Sequence, residues 1–286
     1  MVEHFPFKEG VDGSSPSGLT KKMFMINSAL FYKLYDFLFM NRNADIVVKY
    51  LKFDRIQKEN LEQLTVFDVG CYSGDFSKTL YERIDKKLMN RMNFFLFDPN
   101  DRHIDHYKKN FKFNYKYFNY ALDDKPESVK KFYFNNYFEA SGSSLKSTSF
   151  DDVKYVRSRT LISKILNFFS KKMNKKISNI TEAKTTNLDH FCIKNNISKI
   201  AVLKIDTEST EIDVIRGGSQ IIKNCSIICV EVQDHKEKFP KKLFEVSNLL
   251  KDHFVLKYQK RILIVSLFTN IKAYDLIFVN KHLLKN

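Results

Sequence analysis

The chain has 286 residues, 43% hydrophobic and 14% aromatic, enough for one large domain or two small ones and incompatible with bulk disorder. Lys and Arg number 48 against 33 Asp and Glu, a formal net charge of +15, yet only nine of the cations are Arg and Trp is absent. A composition biased toward Lys argues weakly for any anionic partner, so the distribution of charge has to decide.

The segment Gly10 to Gly18 contains three of the eight glycines and reads as part of a flexible N-terminal tail over residues 1–19. A helical cap is expected over 20–60. Its most apolar stretch, Ala29 to Met40, carries Lys33 and Asp36, is too short to span a bilayer, and lacks the layout of a signal peptide. From residue 65 short β-rich runs alternate with helical patterns. Strands are expected at 65–69, 93–98, 200–206, 226–232 and 274–279, and helices at 76–83, 104–110, near 188–196, 210–216 and 241–252. This alternation predicts βαβ units and a parallel sheet covered on both faces. Cys71, Cys192, Cys225 and Cys229 form no CxxC pair and no cluster with histidine, so neither a zinc knuckle nor a disulfide framework is expected, and the default is a reducing, cytoplasmic compartment.

Between Asp152 and Glu182 the chain holds eight cations and no acid. Leu161, Ile162, Ile165, Leu166, Phe168 and Phe169 recur there at helical spacing, which predicts a basic amphipathic helical insertion at about 151–178. Three readings stay open for residues 153–177: peripheral contact with an anionic inner membrane surface, recruitment of an acidic substrate, or a helix packed on the domain with its lysines in water. The local concentration of charge leaves the rest of the chain only mildly basic.

The most informative local pattern is Val66-Phe-Asp-Val-Gly-Cys-Tyr-Ser-Gly74, an apolar strand ending in Asp-x-Gly-x-x-x-Gly before a helix. Glycines there permit a sharp turn and close approach of a ligand. Asp68 would repel a pyrophosphate, and the loop lacks the Gly-x-Gly-x-x-Gly and Gly-Lys-Ser/Thr forms of dinucleotide and P-loop sites. The same residues also fit an ordinary strand-to-helix turn. The second strand ends in Asp98-Pro99, where a carboxylate can accept both hydroxyls of a ribose, or cap the next helix. Lys204, Asp206 and Glu208 follow at i, i+2, i+4 and would share one face of a strand, either as functional groups at the ligand-binding edge or as a structural charge cluster. His235 is a second candidate base or a surface histidine. His103 and His106 are more simply solvated than metal-bound, and no metal is assigned.

Taken together, Asp68-x-Gly70-x-x-x-Gly74, Asp98-Pro99, Tyr120-Ala-Leu-Asp-Asp124, Gly142-Ser-Ser-Leu145, Thr186-x-Leu188-Asp189, Lys204-Ile-Asp-Thr-Glu-Ser-Thr-Glu211 and Asp275-Leu-Ile-Phe-Val279 resemble the successive blocks of the FkbM family of S-adenosylmethionine-dependent methyltransferases over roughly residues 60–280. The resemblance implies an α/β, Rossmann-like class I methyltransferase fold with a seven-strand, mostly parallel sheet and helices on both faces, occupying residues 61–286. It implies S-adenosylmethionine as cofactor and S-adenosylhomocysteine as product. Asp68, Gly70, Tyr72 and Gly74 would frame the methionine part, Asp98 and Pro99 would hold the ribose, and Ala121 and Leu122 would line the adenine. Asp206 would be shared with the catalytic set of Lys204, Asp206, Glu208 and His235, with Asp206 the first candidate base. The acceptor implied is a hydroxyl of a sugar, glycan or related small metabolite.

Two departures stand out. The family usually has Gly where this chain has Ser209, and usually Glu where it has Asp98. An RNA methyltransferase is an alternative that the charge motivates, against which stand the scarcity of Arg and the absence of an RNA-binding module. A catalytically inactive binding protein on the same fold is a third reading, motivated by Ser209.

Overall fold

In a computed structural model the described residues are 41–51, 63–135, 178–235, 240–262 and 271–284. All of these but Asn41 belong to one compact unit, Arg42–Asn286. The tail expected over 1–19, the Gly142 loop and the basic helix expected over 153–177 lie outside them. Of the cap expected over 20–60, only helix α1 (Asn41–Leu51) lies within.

The main sheet contains seven strands: β1 (Leu64–Val69), β2 (Met92–Phe97), β3 (Tyr115–Phe118), β7 (Ile200–Ile205), β8 (Cys225–His235), β9 (Phe254–Ile262) and β10 (Ile271–Asn280). Their order is β3-β2-β1-β7-β8-β10-β9, and only β10 runs antiparallel to its neighbours. A smaller sheet, β4-β6-β5, joins β4 (Ala121–Leu122), β5 (Ser128–Asn135) and β6 (Ser178–Thr186). It was not anticipated from the sequence.

The central strands are nearly continuous runs of apolar, often β-branched residues, as a sheet buried on both faces requires. Alternation then divides the core in two. Leu64 and Val66 of β1 and Phe94 and Leu96 of β2 pack with α1, α2 (Asp75–Arg83), α3 (Lys86–Met89) and α4 (Ile104–Asn110), through Val47, Leu80, Leu88 and Tyr107. Phe67, Val69 and Phe97 face the other way, against α5 (Leu188–Lys194), α6 (Glu211–Gly217) and α7 (Lys241–Leu250), through Phe191, Val214 and Val246. Each fully buried aliphatic or aromatic side chain contributes about 1.5–3 kcal/mol relative to exposure.

This order places a reversal of strand direction of travel at the centre. From β1 the chain winds outward through β2 to β3, and from β7 it winds the opposite way, so the connections leaving β1 and β7 part above a crevice. Ligands of open α/β sheets bind at such a point, outside the carboxyl ends of the strands. Asp68 and Lys204 are paired in register there, with Cys229 of β8 beside Lys204.

Candidate functional site

The loop after β1 turns through three left-handed residues, Gly70 (φ +71), Tyr72 (φ +45) and Gly74 (φ +75), before α2 begins. Gly70 and Cys71 both donate their N–H to the Phe97 carbonyl at 2.9 and 3.2 Å, which fastens the loop to the end of β2. A Cβ at Gly70 would stand 1.8 Å from the Asp206 carbonyl oxygen, and one at Gly74 would stand 2.4 Å from the Phe111 ring. The open sides of both glycines are therefore taken by the protein itself. At these two positions the missing Cβ atoms let the β1 and β7 loops and the α4 end close against each other.

Behind the crevice lies a charge network. Lys204 Nζ donates to the Gly70 carbonyl at 2.8 Å and stands 3.2 Å from Asp68 Oδ1 and 3.4 Å from Asp206 Oδ2. Asp68 is fully buried and its other oxygen accepts from the Ser77 hydroxyl at 2.6 Å. Burial opposes the charge on Lys204, but Asp68 and Asp206 outweigh it and hold the ammonium well above an ordinary lysine. The ammonium has one carbonyl hydrogen bond and two carboxylates within ion-pair distance, all from its own chain. Lys204 thus ties β1 to β7, and the pairing of Lys204 with Asp206 seen in the i, i+2 spacing is realised. Asp206 is the more exposed carboxylate of this network, at 22% of its side chain against 0% for Asp68.

Asp98, at the end of β2, is 9% exposed. Its Oδ2 accepts the Tyr72 N–H at 2.9 Å and its Oδ1 the Asn100 N–H at 2.8 Å. Burial nevertheless pushes its carboxyl up to about 6, against the opposing pull of those two amides and of Lys204. The helix-capping alternative goes instead to Asn100, whose side chain accepts from Arg102 N–H. Pro99 follows directly, and Ala121 and Leu122 lie buried in β4, paired with Thr185 and Thr186.

On the other side of Asp206 the carboxylates gather. Glu208 lies beyond the end of β7 rather than on its face, in a left-handed conformation (φ +51) followed by Ser209 (φ +109). Its Oε2 accepts from Gln233 Nε2 at 2.8 Å, and the same amide stands 3.3 Å from Glu231 Oε1. Burial, with Asp206 and Glu211 adding to it, pushes Glu208 up to about 8; burial, Asp206 and Asp275 push Glu231 up as well. Asp275 faces Glu231 across the β8–β10 ladder and is pushed up to about 7 by burial, with Asp206 adding to it. Glu211, the first residue of α6, reaches back to accept the Ser209 N–H at 2.7 Å and holds the turn closed. His235 ends β8, opposite Ile271, and its side chain lies outside the described residues. Sequence reasoning missed Glu231, Gln233 and Asp275, although the alternation Glu-Val-Gln at the end of β8 places the first two on one face.

Among the described residues, no group of three or more His, Cys, Asp or Glu side chains is placed to hold a metal ion, and no helix is long and apolar enough to cross a membrane.

A family model described as the methyltransferase FkbM domain matches residues 68–259, well over half of the chain. The chain belongs to the FkbM methyltransferase family. The match opens on Asp68 and spans Asp98, Lys204, Asp206, Glu208 and Glu231, whereas Asp275 lies beyond it. No curated protein sequence matches the chain. Among solved structures, magnesium protoporphyrin IX methyltransferase from Synechocystis with bound S-adenosylmethionine is 10% identical, covers 94% of this chain and 86% of its own, and has a TM-score of 0.38. Precorrin-6y C5,15-methyltransferase from Geobacter metallireducens is 9% identical, covers 83% and 88% respectively, and has a TM-score of 0.37. Likenesses this distant bear neither on the cofactor nor on the acceptor of this chain.

Proposed function

We propose that the protein is an S-adenosylmethionine-dependent O-methyltransferase whose acceptor is a hydroxyl of a sugar, glycan or related small metabolite. The observation that carries this reading is Asp98. It is a buried carboxylate at the end of the strand next to the crevice, and each of its oxygens takes one backbone N–H. A carboxylate has about four lone-pair positions, so two remain for the paired hydroxyls of a ribose. The donor set also fits the rest of the cofactor. Asp206 offers a partly exposed negative charge suited to an ammonium or sulfonium, and a pyrophosphate would meet Asp68, Asp98 and Asp206. When bound, S-adenosylmethionine supplies a methyl group already activated for in-line displacement.

The residues of this chain then have distinct tasks. Asp98 and Pro99 hold the ribose, Ala121 and Leu122 line the adenine, and the Gly70–Gly74 loop with Asp68 behind it frames the methionine part. Lys204 is assigned to positioning, because its buried ammonium is held among Gly70, Asp68 and Asp206. Asp206 lies 3.4 Å from that ammonium and is partly exposed, and it is assigned as an electrostatic partner of the cofactor. Glu208, whose affinity for a proton is raised by burial, is the better group to take the proton that the hydroxyl loses as its oxygen gains the methyl. Positioning the hydroxyl supplies the remainder of the acceleration. Contact of residues 153–177 with an anionic membrane or acidic substrate is part of this proposal, and deletion of 154–178 tests it through membrane association and acceptor choice.

Titration calorimetry of the full-length chain with S-adenosylmethionine and S-adenosylhomocysteine tests the reading. Both bind if it holds, and Asp98→Ala binds both measurably but more weakly, without unfolding. Absence of binding at millimolar concentration overturns it.

A further inference from the structure

Three tyrosines are linked to Asp98 through the backbone, and their geometry is unusual. Tyr72 holds a left-handed backbone, which an ordinary side chain adopts only where its surroundings enforce it. That conformation is what brings the Tyr72 N–H to Asp98 Oδ2 at 2.9 Å. Tyr107, fully buried beneath the loop, donates its hydroxyl to the Tyr72 carbonyl. Its oxygen also meets Cys71 Sγ at 3.4 Å; since the phenol has one proton and has given it to Tyr72, the thiol is the donor in that contact. Tyr117 does the corresponding work on the other strand. Its hydroxyl reaches the carbonyls of Asp98 at 2.5 Å and Asn100 at 3.1 Å, bracing both sides of Pro99. The Tyr72 residue and the Asp98–Asn100 stretch are therefore held, through their neighbouring carbonyls, by side chains on α4 and β3. Burial pushes both phenols up, so they remain proton donors across the physiological range.

This bears on the departure of Asp98 from the family's glutamate. A shorter side chain reaches less far, and here the β1 loop comes to the carboxylate through the Tyr72 amide. We propose that Tyr107 and Tyr117 are positioning residues for the nucleoside, clamping the Tyr72 and Asp98 backbones into one wall so that Asp98 presents its two unused lone-pair positions to a ribose diol. The proposal rests on the cofactor reading above and adds to it residues that touch no ligand.

The test is a double-mutant cycle on S-adenosylhomocysteine affinity, measured by calorimetry on the full-length chain. Tyr117→Phe is expected to weaken binding about tenfold, the worth of one hydrogen bond of this kind. In an Asp98→Ala background the same substitution is expected to change affinity less than about twofold, because Tyr117 acts through Asp98. Losses that add in full overturn the proposal, since a general loosening of the fold would weaken binding in either background. Tyr107→Phe, at a fully buried position, is read instead by hydrogen exchange of the Tyr72 amide in the free chain. Exchange is expected to quicken in Tyr107→Phe and in Asp98→Ala, and unchanged rates overturn the clamp. The two readings fail separately. A protected Tyr72 amide with no binding of S-adenosylhomocysteine to the unaltered chain sinks the cofactor reading, and with it the nucleoside role of the tyrosines. An unprotected amide with intact binding sinks the clamp alone.

Discussion

Ser209→Gly should make the protein more stable. Ser209 sits at φ +109, in a region that side chains rarely adopt, directly after Glu208 at φ +51. Holding a non-glycine residue in such a conformation costs about 1–3 kcal/mol. Glycine removes that cost but adds about 0.5–1 kcal/mol of backbone freedom to the unfolded chain. The N–H that bonds Glu211 at 2.7 Å is retained by glycine, so the turn keeps its clamp. The net gain is about 1 kcal/mol, which for a domain of this size raises Tm by about 2–4 °C. Calorimetric unfolding of the full-length chain measures it. Ser209→Ala serves as the control, because it removes the hydroxyl and keeps the strain, and it should leave Tm unchanged or slightly lower. A glycine variant no more stable than the alanine variant would refute the assignment of strain to this turn, and with it the view that Glu211 holds the turn closed against its own preference.

Three further outcomes are expected. Lys204→Met should destabilise the fold by about 3–5 kcal/mol, because it strands the fully buried Asp68 carboxylate without its partner; chemical denaturation would show it, and a loss under about 1 kcal/mol would mean that the network is ornamental. S-Adenosylhomocysteine affinity should be flat above about pH 7 and fall by up to about tenfold per unit below about pH 6, since the proposed ribose contact needs the ionised form of Asp98 and that carboxyl is raised to about 6 by burial, with Lys204 pulling it down and Asp68 adding to the rise; calorimetry from pH 5 to 8 that shows no slope contradicts this. Glu208→Gln should bind S-adenosylhomocysteine normally while slowing methyl transfer about 100-fold or more, and it should remove any rise of rate toward pH 8 in the unaltered enzyme; retention of that rise would move the proton acceptor elsewhere.

The central sheet was readable because its strands carry their own signal. The expected strand at 65–69 is β1 within one residue, the helix at 104–110 is α4 to the residue, and the apolar run from 226 marks β8, which continues past 232 to His235. What escaped notice were strands whose burial is one-sided or slight. β5 contains Lys130 and Lys131, β6 is mostly polar, and β9 alternates apolar residues with Lys257, Lys260 and Arg261 at the sheet edge. Such residues lose little by facing water, so the hydrophobic pattern that betrays a central strand is diluted there. The site divides in the same way. Lys204 near the end of β7 and Asp206 just beyond it are two apart in sequence, and their pairing could be read locally. Asp68, Gly70 and Lys204 meet only because β1 and β7 are neighbours, a contact that no local spacing encodes. The turn of the glycine loop was legible locally, whereas the close approach of Asp206 and Phe111 to the absent Cβ atoms depends on the tertiary fold. Tyr107 and Tyr117 carry no local sequence signal of their role, and only their hydroxyl partners distinguish them from the other aromatics.

The most direct test of the account follows the methyl group itself. Cells expressing the full-length chain, and cells expressing Glu208→Gln, would be fed precursor that labels S-adenosylmethionine with a trideuterated methyl, and their sugar, lipid-linked glycan and RNA fractions compared by mass spectrometry. The account predicts a trideuteromethyl ether on a sugar hydroxyl that appears with the unaltered chain and fails to appear with the variant. Label confined to RNA, or equal labelling of the sugar fraction by both chains, would contradict it.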